Sequence, residues 1–495
     1  MKSKQPHFVF ILCDQLRADF LSAYGCDAIE TPNLDWLSGQ SVVYENAVST
    51  CPLCVPARAA MLTGMTPLES GVISNEHWLR PDRAAMGFRT WPEWLSDAGY
   101  HTAAVGKMHF HPFESPEGFA QRIIAEDKRW PLIQDDYAAF LKEKGLGPDK
   151  FNAIHLPEYQ EQMGAVHFPH GAENTADRFV GEAASRLIRG HDEEIPLALM
   201  VGFPGPHCPY DPVPETLERV RPERLPKIVE RTDTNSPEAE KMHQFFLAGY
   251  RGAWHQLDYA EFPLEAKKKI RHHYAALIST IDEEVGRILT ALRERGILNE
   301  TVLIFTSDHG DHVGDQDRVG KGTFYEPSIH IPLMIRWPQA ENRGRRIAAP
   351  VPLQSVPATI LQQVRGDLPH GWSYRVLPQE EPTGEGDPVF GYIQAGCMIR
   401  TRRWKLCRYN SGVRELFDME ADPREEANLY RREDLREIRL DLENRLFDWV
   451  VQNANAGHEP ERIFARESLS ISRDFGTRGW ERVYPHPEAA ANLDR

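Results

Sequence analysis

FVFILCDQ (residues 8–15) opens with six apolar residues and turns abruptly polar at Asp14 and Gln15. An apolar run of that length with no alternation is what a strand covered on both faces requires. The same texture returns along the chain in HTAAVG (101–106), PLALMVGF (196–203), TVLIFTS (301–307) and IPLMIRW (331–337). Helix-like stretches lie between these runs. TADRFVGEAASRLI (175–188) carries an apolar stripe, and AKKKIRHHYAALISTIDEEVGRILTALRERG (266–296) reads as a long amphipathic helix ending at a glycine stop. Alternation on this scale predicts an α/β fold, a doubly wound and mostly parallel sheet with helices on both faces.

A chain of 495 residues exceeds what one small core organises. The stretches 110–170 and 205–262 are rich in proline, aromatics and charge and read as long inserted loops, where substrate pockets are commonly built. Beyond about residue 366 the texture changes. TRRWKLCRYNSGVRELFDMEADPREEANL (401–429) has the look of a β-meander with a turn at Asn410-Ser411-Gly412, and a helix-like stretch follows at 434–453. The expected division is a catalytic α/β domain over 1–365 and, over 366–495, a small α+β subdomain with an antiparallel sheet, plus a tail.

The net charge of -16 argues against a nucleic-acid partner, which needs a basic face. It also supplies no global attraction for an anion, so any anion site must be a local cationic cluster. No apolar run has the length of a membrane span. The run at 8–13 follows Lys2 and Lys4 but is too short for a secretory core, and Asp14 stands where a cleavage site would be. A cytoplasmic location is therefore expected, and seven scattered cysteines suit a reducing compartment. The sequence leaves room for a homo-oligomer.

Four of the strand-like runs end in chemically capable residues. FVFILC leads to Asp14 and Gln15, HTAAVG to Lys107 and His109, PLALMVGF to His207, and TVLIFTS to Asp308 and His309. Any one of these could be a turn residue. Four together predict a shared site, because ligands of open α/β sheets bind outside the carboxyl ends of the strands. Asp14, Asp308, His309 and the amide oxygen of Gln15 form a donor set that suits Ca²⁺, Mg²⁺ or Mn²⁺, and the imidazole favours Mn²⁺ more than an all-oxygen cage would. Lys107, His109, His207, Arg58 and Lys321 supply cationic donors, so the set is a metal site ringed by positive groups.

CPLCVPARAAMLTG (51–64) is the most specific stretch. Pro56 fits the first turn of a helix, which puts Cys54 just ahead of that helix in the positive field of its N-terminus, with Arg58 in reach of the same anion. Cys51 and Cys54 also form a C-x-x-C that could be a redox dithiol or half a zinc site, although no second close pair completes the latter.

Cys54-Val55-Pro56-Ala57-Arg58 followed by Thr63-Gly64 resembles the signature of the sulfatase family. Further matches run collinearly through TPNLDWL (31–37), VGKMH (105–109), GPHCPYDP (205–212), TSDHGD (306–311), KGTFYEPSIHIPLMI (321–335) and LFDMEADPREEANL (416–429). The resemblance implies hydrolysis of an organic sulfate ester, from a small molecule or a saccharide, to an alcohol and inorganic sulfate. It implies that a separate formylglycine-generating enzyme oxidises Cys54 to formylglycine, the nucleophile, which also touches the metal. One hydroxyl of the aldehyde hydrate attacks sulfur and the other expels sulfate, an exit that a serine lacks. Asp14, Gln15, Asp308 and His309 match metal positions, with Ca²⁺ first and Mn²⁺ as the alternative. Arg58 would orient the formylglycine, Lys107 and Lys321 would bind sulfate oxygens, His109 would hold the diol and aid breakdown of the covalent intermediate, and His207 would protonate the leaving alcohol.

Two pairs depart from the commoner family pattern. Asp14-Gln15 and Asp308-His309 stand where many sulfatases have Asp-Asp and Asp-Asn, as in choline sulfatases and phosphonate monoester hydrolases. Lys107 with His109 favours sulfate over the alternative, a phosphonate monoester or phosphodiester. A catalytically silent sulfate-binding protein would instead keep Cys54 as a thiol. Trp130, Tyr137, His167 and Trp78 are candidate selectors of the substrate, although an aromatic in a long loop more often packs that loop down.

Overall fold

A computed structural model describes residues 5–84, 88–126, 134–146, 156–192, 194–231, 236–252, 256–369 and 372–458. The stretch at 8–13 lies inside strand β1 (His7–Asp14), which is buried along its whole length. Its side chains alternate between two cores. Val9, Ile11 and Cys13 join Val180, Ile278 and Ile281 on one side, and Phe8, Phe10 and Leu12 join Met61, Leu62, Trp91 and Ile360 on the other. Both faces are covered, which is why no polar residue interrupts the run.

Parallel partners flank β1: β5 (Leu197–Pro206) and β6 (Thr301–Ser307), with β3 (His101–Gly106) beyond β5 and β4 (Gln121–Ile124) at the edge. The helices Ala176–Gly190 and Leu264–Glu294 cover one face, and Cys54–Thr63, Trp91–Asp97 and Ser355–Arg365 cover the other. The fold is the expected α/β architecture, with one local difference. IPLMIRW, read with the buried parallel strands, forms β7 (His330–Ile331) and β8 (Leu333–Arg336), and β8 runs antiparallel to β6. A parallel neighbour needs a crossover, usually a helix. Between β6 and β8 the described chain offers only the short helical pieces Asp315–Asp317 and Glu326–Ile329, so it reverses direction. β2 (Val42–Val48) and β9 (Arg346–Pro352) complete the nine-stranded sheet.

The stretch 205–262, read as loop, holds a 16-residue helix, Pro237–Gly252. It buries Met242, His243 and Leu247 but leaves Phe245 71% exposed, and that outward aromatic blurs the apolar stripe. The C-terminal sheet starts earlier than the meander at 401–429. Its strands are β10 (Val389–Ile393), β11 (Gly396–Arg400), β12 (Trp404–Tyr409) and β13 (Arg414–Asp418), all antiparallel. The turn after Tyr409 needs a left-handed residue, and Gly412 supplies φ +99°. The helix Arg436–His458 lays Leu442 and Leu446 on Ile399, Leu406 and Leu416.

This small sheet grips the segment that follows Lys321. The Tyr409 hydroxyl accepts from Phe324 N at 2.9 Å, and Tyr325 donates to Glu415. Lys405, fully buried, sits 2.8 Å from Glu326 Oε1 and also pairs with Glu425. Burial alone would raise the Glu326 carboxyl, but Lys405 and then Arg400 outweigh it and bring it down to about 2. Removing one partner of such a cluster strands buried charge, so Lys405→Ala is expected to cost about 3–5 kcal/mol. Urea unfolding measures this, and unchanged stability would refute the electrostatic account of the junction.

Candidate active site

The carboxyl ends of β1, β3, β5 and β6 meet at one edge, and each end is locally shaped to aim a side chain there. Past β1, Gln15 takes φ +74°, costly for a residue with a Cβ. Its N–H donates to Asp308 Oδ1 at 3.1 Å and its carbonyl accepts from Tyr274 Oη at 2.7 Å, and these bonds hold the strained turn. Past β3, Lys107 N donates to Gly202 O at 2.7 Å. A Cβ on Gly202 would lie 2.0 Å from Lys107 O, so only glycine lets the two backbones close. Past β6, Asp308 Oδ1 accepts from His309 N at 2.9 Å, while Ser49 Oγ donates to the Asp308 carbonyl at 2.5 Å. Cys54 is the first residue of its helix, one position further in than the sequence suggested.

These ends converge tightly. Asp14, Cys54, Asp308 and His309 each bring one ligand atom within 4.8 Å of the others, and all four are buried. Cys54 Sγ lies 3.2 Å from His309 Nε2 and 3.7 Å from Asp14 Oδ1. Cations surround the carboxylates. Lys107 Nζ is 2.6 Å from Asp14 Oδ2, and Arg58 reaches Asp308 Oδ2 at 2.9 Å and Asp14 Oδ2 at 3.5 Å. Arg58 also donates to the Lys107 carbonyl at 2.9 Å, which ties the Cys54 helix to the end of β3. Lys321 Nζ donates to Gln15 Oε1 at 2.6 Å and lies 2.7 Å from His207 Nε2.

The charge pattern follows from burial. Desolvation alone would raise the Asp14 carboxyl, yet Lys107, then His207, Lys321 and Arg58 hold it well below the usual carboxylate range. Burial and Asp14 push the Cys54 thiol up, but Lys321, His309 and Lys107 outweigh them and leave it below an ordinary cysteine. Burial alone would lower His309, whereas Asp308 and Cys54 raise it. Asp14, Asp308, His309 and Cys54 form a buried group of donor atoms that could hold one metal ion, and its carboxylate oxygens suit a divalent cation. The adjoining lysines and arginine leave the margin positive, as an anionic substrate needs.

The C-x-x-C dithiol reading loses its basis. Cys51 faces Thr50 Oγ1 at 3.4 Å and Gln354 Nε2 at 3.7 Å, within an apolar cluster under the small sheet. Burial pushes its thiol up to about 12, the mark of an inert structural cysteine. Among the described residues neither cysteine is disulfide-bonded.

His109 stands two residues past Lys107 at φ +63°, nearly buried, its ring 6.1 Å from that of His111. Trp78 packs on Phe110 and His111 and donates to Glu117 Oε1 at 3.1 Å, so it borders this corner. Tyr137 is a core residue whose hydroxyl donates to Asn174 O at 2.7 Å, which removes it as a substrate selector. His167 is exposed and packs against His273, and Trp130 lies outside the described residues. Sequence reasoning passed over Asp311, Tyr210 and Tyr274, which pack behind Gln15. Asp311 and Tyr210 do lie inside the motifs TSDHGD and GPHCPYDP, but nothing in spacing tells a supporting acid from a turn residue.

The family model described as Sulfatase matches residues 6–366. An arylsulfatase of Clostridium perfringens is 29% identical over 483 residues, covering 92% of this chain and 96% of its own. A choline-sulfatase of Rhizobium meliloti is 28% identical, with 87% and 83% covered. Among solved structures, the phosphonate monoester hydrolase of Agrobacterium radiobacter matches with a TM-score of 0.78 at 23% identity, covering 91% of this chain and 96% of that one.

Proposed function

This chain belongs to the sulfatase family within the alkaline phosphatase superfamily, and from that premise we propose how its buried site hydrolyses an organic sulfate ester to an alcohol and inorganic sulfate. The observation that carries the reading is the cluster of Asp14, Cys54, Asp308 and His309 with Lys107 and Arg58 in contact with its carboxylates. Asp14, Gln15, Asp308 and His309, together with the oxidised Cys54, would hold one divalent cation, Ca²⁺ in the first instance and Mn²⁺ as the alternative. Such a cation, when bound, supplies Lewis acidity toward the ester oxygens.

The remaining work falls to the chain's own side chains. Cys54, converted to formylglycine by a maturation enzyme that reads C-x-P-x-R, supplies the nucleophilic oxygen. Arg58 orients it from one helical turn away, held in place by Asp308 and the Lys107 carbonyl. Lys107 and Lys321 take the sulfate oxygens, exchanging their contacts with Asp14 and Gln15 for the substrate's charge. His109 holds the diol, and His207 delivers a proton to the leaving alcohol.

A second reading, hydrolysis of a phosphonate monoester or phosphodiester, draws support from the Asp14-Gln15 and Asp308-His309 pairs. The Lys107 and His109 pair, matched to the sulfate pocket by the family resemblance, favours sulfate. Parallel kinetics on an aryl sulfate and the matching aryl phosphonate, with Ca²⁺ and then Mn²⁺ supplied, should give the higher kcat/KM on sulfate. A phosphonate preference of about a hundredfold or more, some 2.7 kcal/mol in barrier, would reverse the ranking. We further propose a division at about residue 365, supported by the separate small sheet, and a cytoplasmic location, supported by the cysteine usage. No described helix is long and apolar enough to cross a membrane.

A further inference from the structure

We propose that Asp311 is a positioning residue that fixes the amide of Gln15 so that its oxygen, not its NH₂, faces the metal and sulfate. This rests on the site reading above. The oxygen and nitrogen ends of a glutamine amide are nearly identical in shape, so the hydrogen-bond network decides which way the group points. Asp311 is fully buried, and all its acceptor capacity is committed. Oδ1 takes Val313 N at 2.9 Å and Gly320 N at 2.6 Å, both rigid backbone donors. Oδ2 takes Tyr210 Oη at 2.7 Å and Gln15 Nε2.

A carboxylate only accepts, so it admits the NH₂ end of Gln15 and repels the oxygen end. On the other side Lys321 Nζ only donates, and it meets Gln15 Oε1 at 2.6 Å. The two neighbours agree, and a flipped amide would set oxygen against carboxylate and NH₂ against ammonium. Lys321, only partly buried, can exchange its contacts with Gln15 and His207 for those of an anionic substrate. Asp311 cannot, because two backbone amides and a buried tyrosine clamp it. Asp311 is therefore the partner that preserves the orientation while Lys321 engages sulfate.

The decisive variant is Asp311→Asn. Its oxygen can still accept from Val313 N and Gly320 N, which puts its NH₂ toward Gln15 and turns that amide over. Calorimetric titration of the chelator-treated full chain with Ca²⁺ alone should show affinity lower by about 10- to 100-fold, with kcat/KM on an aryl sulfate falling at least as far. The double variant Asp311→Asn, Gln15→Glu exchanges donor and acceptor across the pair and again presents an oxygen to the site. It should recover at least about tenfold of the lost Ca²⁺ affinity relative to the single variant. Wild-type affinity in the single variant overturns the proposal. A loss that the second substitution does not recover assigns Asp311 a merely structural part and overturns it equally. A wild-type protein that neither binds Ca²⁺ nor turns over sulfate esters removes the site reading itself, and this inference falls with it.

Discussion

Cys54→Ala is expected to abolish sulfate-ester turnover, by at least about 10⁴-fold, while the melting temperature moves only a few degrees. The size follows from the role, because the substitution removes the atom that would be converted into the nucleophile. The small stability cost follows from the setting. Cys54 is fully buried, but truncation deletes one sulfur beside polar neighbours, a far smaller void than a lost leucine leaves. Cys54→Ser separates the two halves of the chemistry. A serine can attack but has no second hydroxyl to expel sulfate, so about one equivalent of alcohol should appear and turnover should then stop. Peptide mass spectrometry completes the case. After expression with a competent maturation enzyme, the peptide spanning 51–58 should carry the aldehyde. A persistent thiol in an active preparation would eliminate the formylglycine mechanism.

The second large effect is selective rather than total. His207→Ala should lower kcat/KM by about 10² to 10⁴ on an alkyl sulfate, whose alkoxide needs a proton to leave. An activated aryl sulfate, whose phenolate leaves unaided, should lose about tenfold or less. The geometry supports the assignment. His207 Nδ1 lies 2.7 Å from the Cys208 carbonyl, and Nε2 lies 2.7 Å from Lys321 Nζ. When an anionic substrate draws Lys321 away, Nε2 can take up a proton from solvent, and the resulting imidazolium delivers that proton to the leaving alkoxide. Equal losses on both ester classes would remove His207 from the acid role.

Much of this was legible from the residues because buried parallel strands write themselves as uninterrupted apolar runs. Phe8 to Cys13 shows it, and the polar residues that follow such runs meet at one edge by topology. The direction of β8 was not legible, since Leu333 to Ile335 is equally apolar whichever way it runs. The helix at 237–252 was hidden by the outward Phe245. Tyr137, read as a surface selector, is core, because an aromatic in a polar stretch gives no sign of which wall it packs on. The environment of Gln15 was hidden for a different reason. It depends on Asp311, Tyr210 and Tyr274, which come from three separate segments and meet only in the folded chain.

The complete burial of Cys54, combined with the grip of the small sheet on the segment after Lys321, also sets a clock. On the proposal above, the enzyme that oxidises Cys54 needs access to a side chain that the finished fold buries completely. Chains emerge amino-terminal end first at about 5–20 residues per second, and Glu425, the last carboxylate of the junction, follows Cys54 by about 370 residues. The interval is roughly 20–75 s. On that proposal the cysteine is open to oxidation within this interval, and a chain that folds unmodified keeps its thiol buried and would be inactive. The active fraction of a preparation should therefore reflect a race between synthesis and oxidation rather than the equilibrium stability of the finished fold.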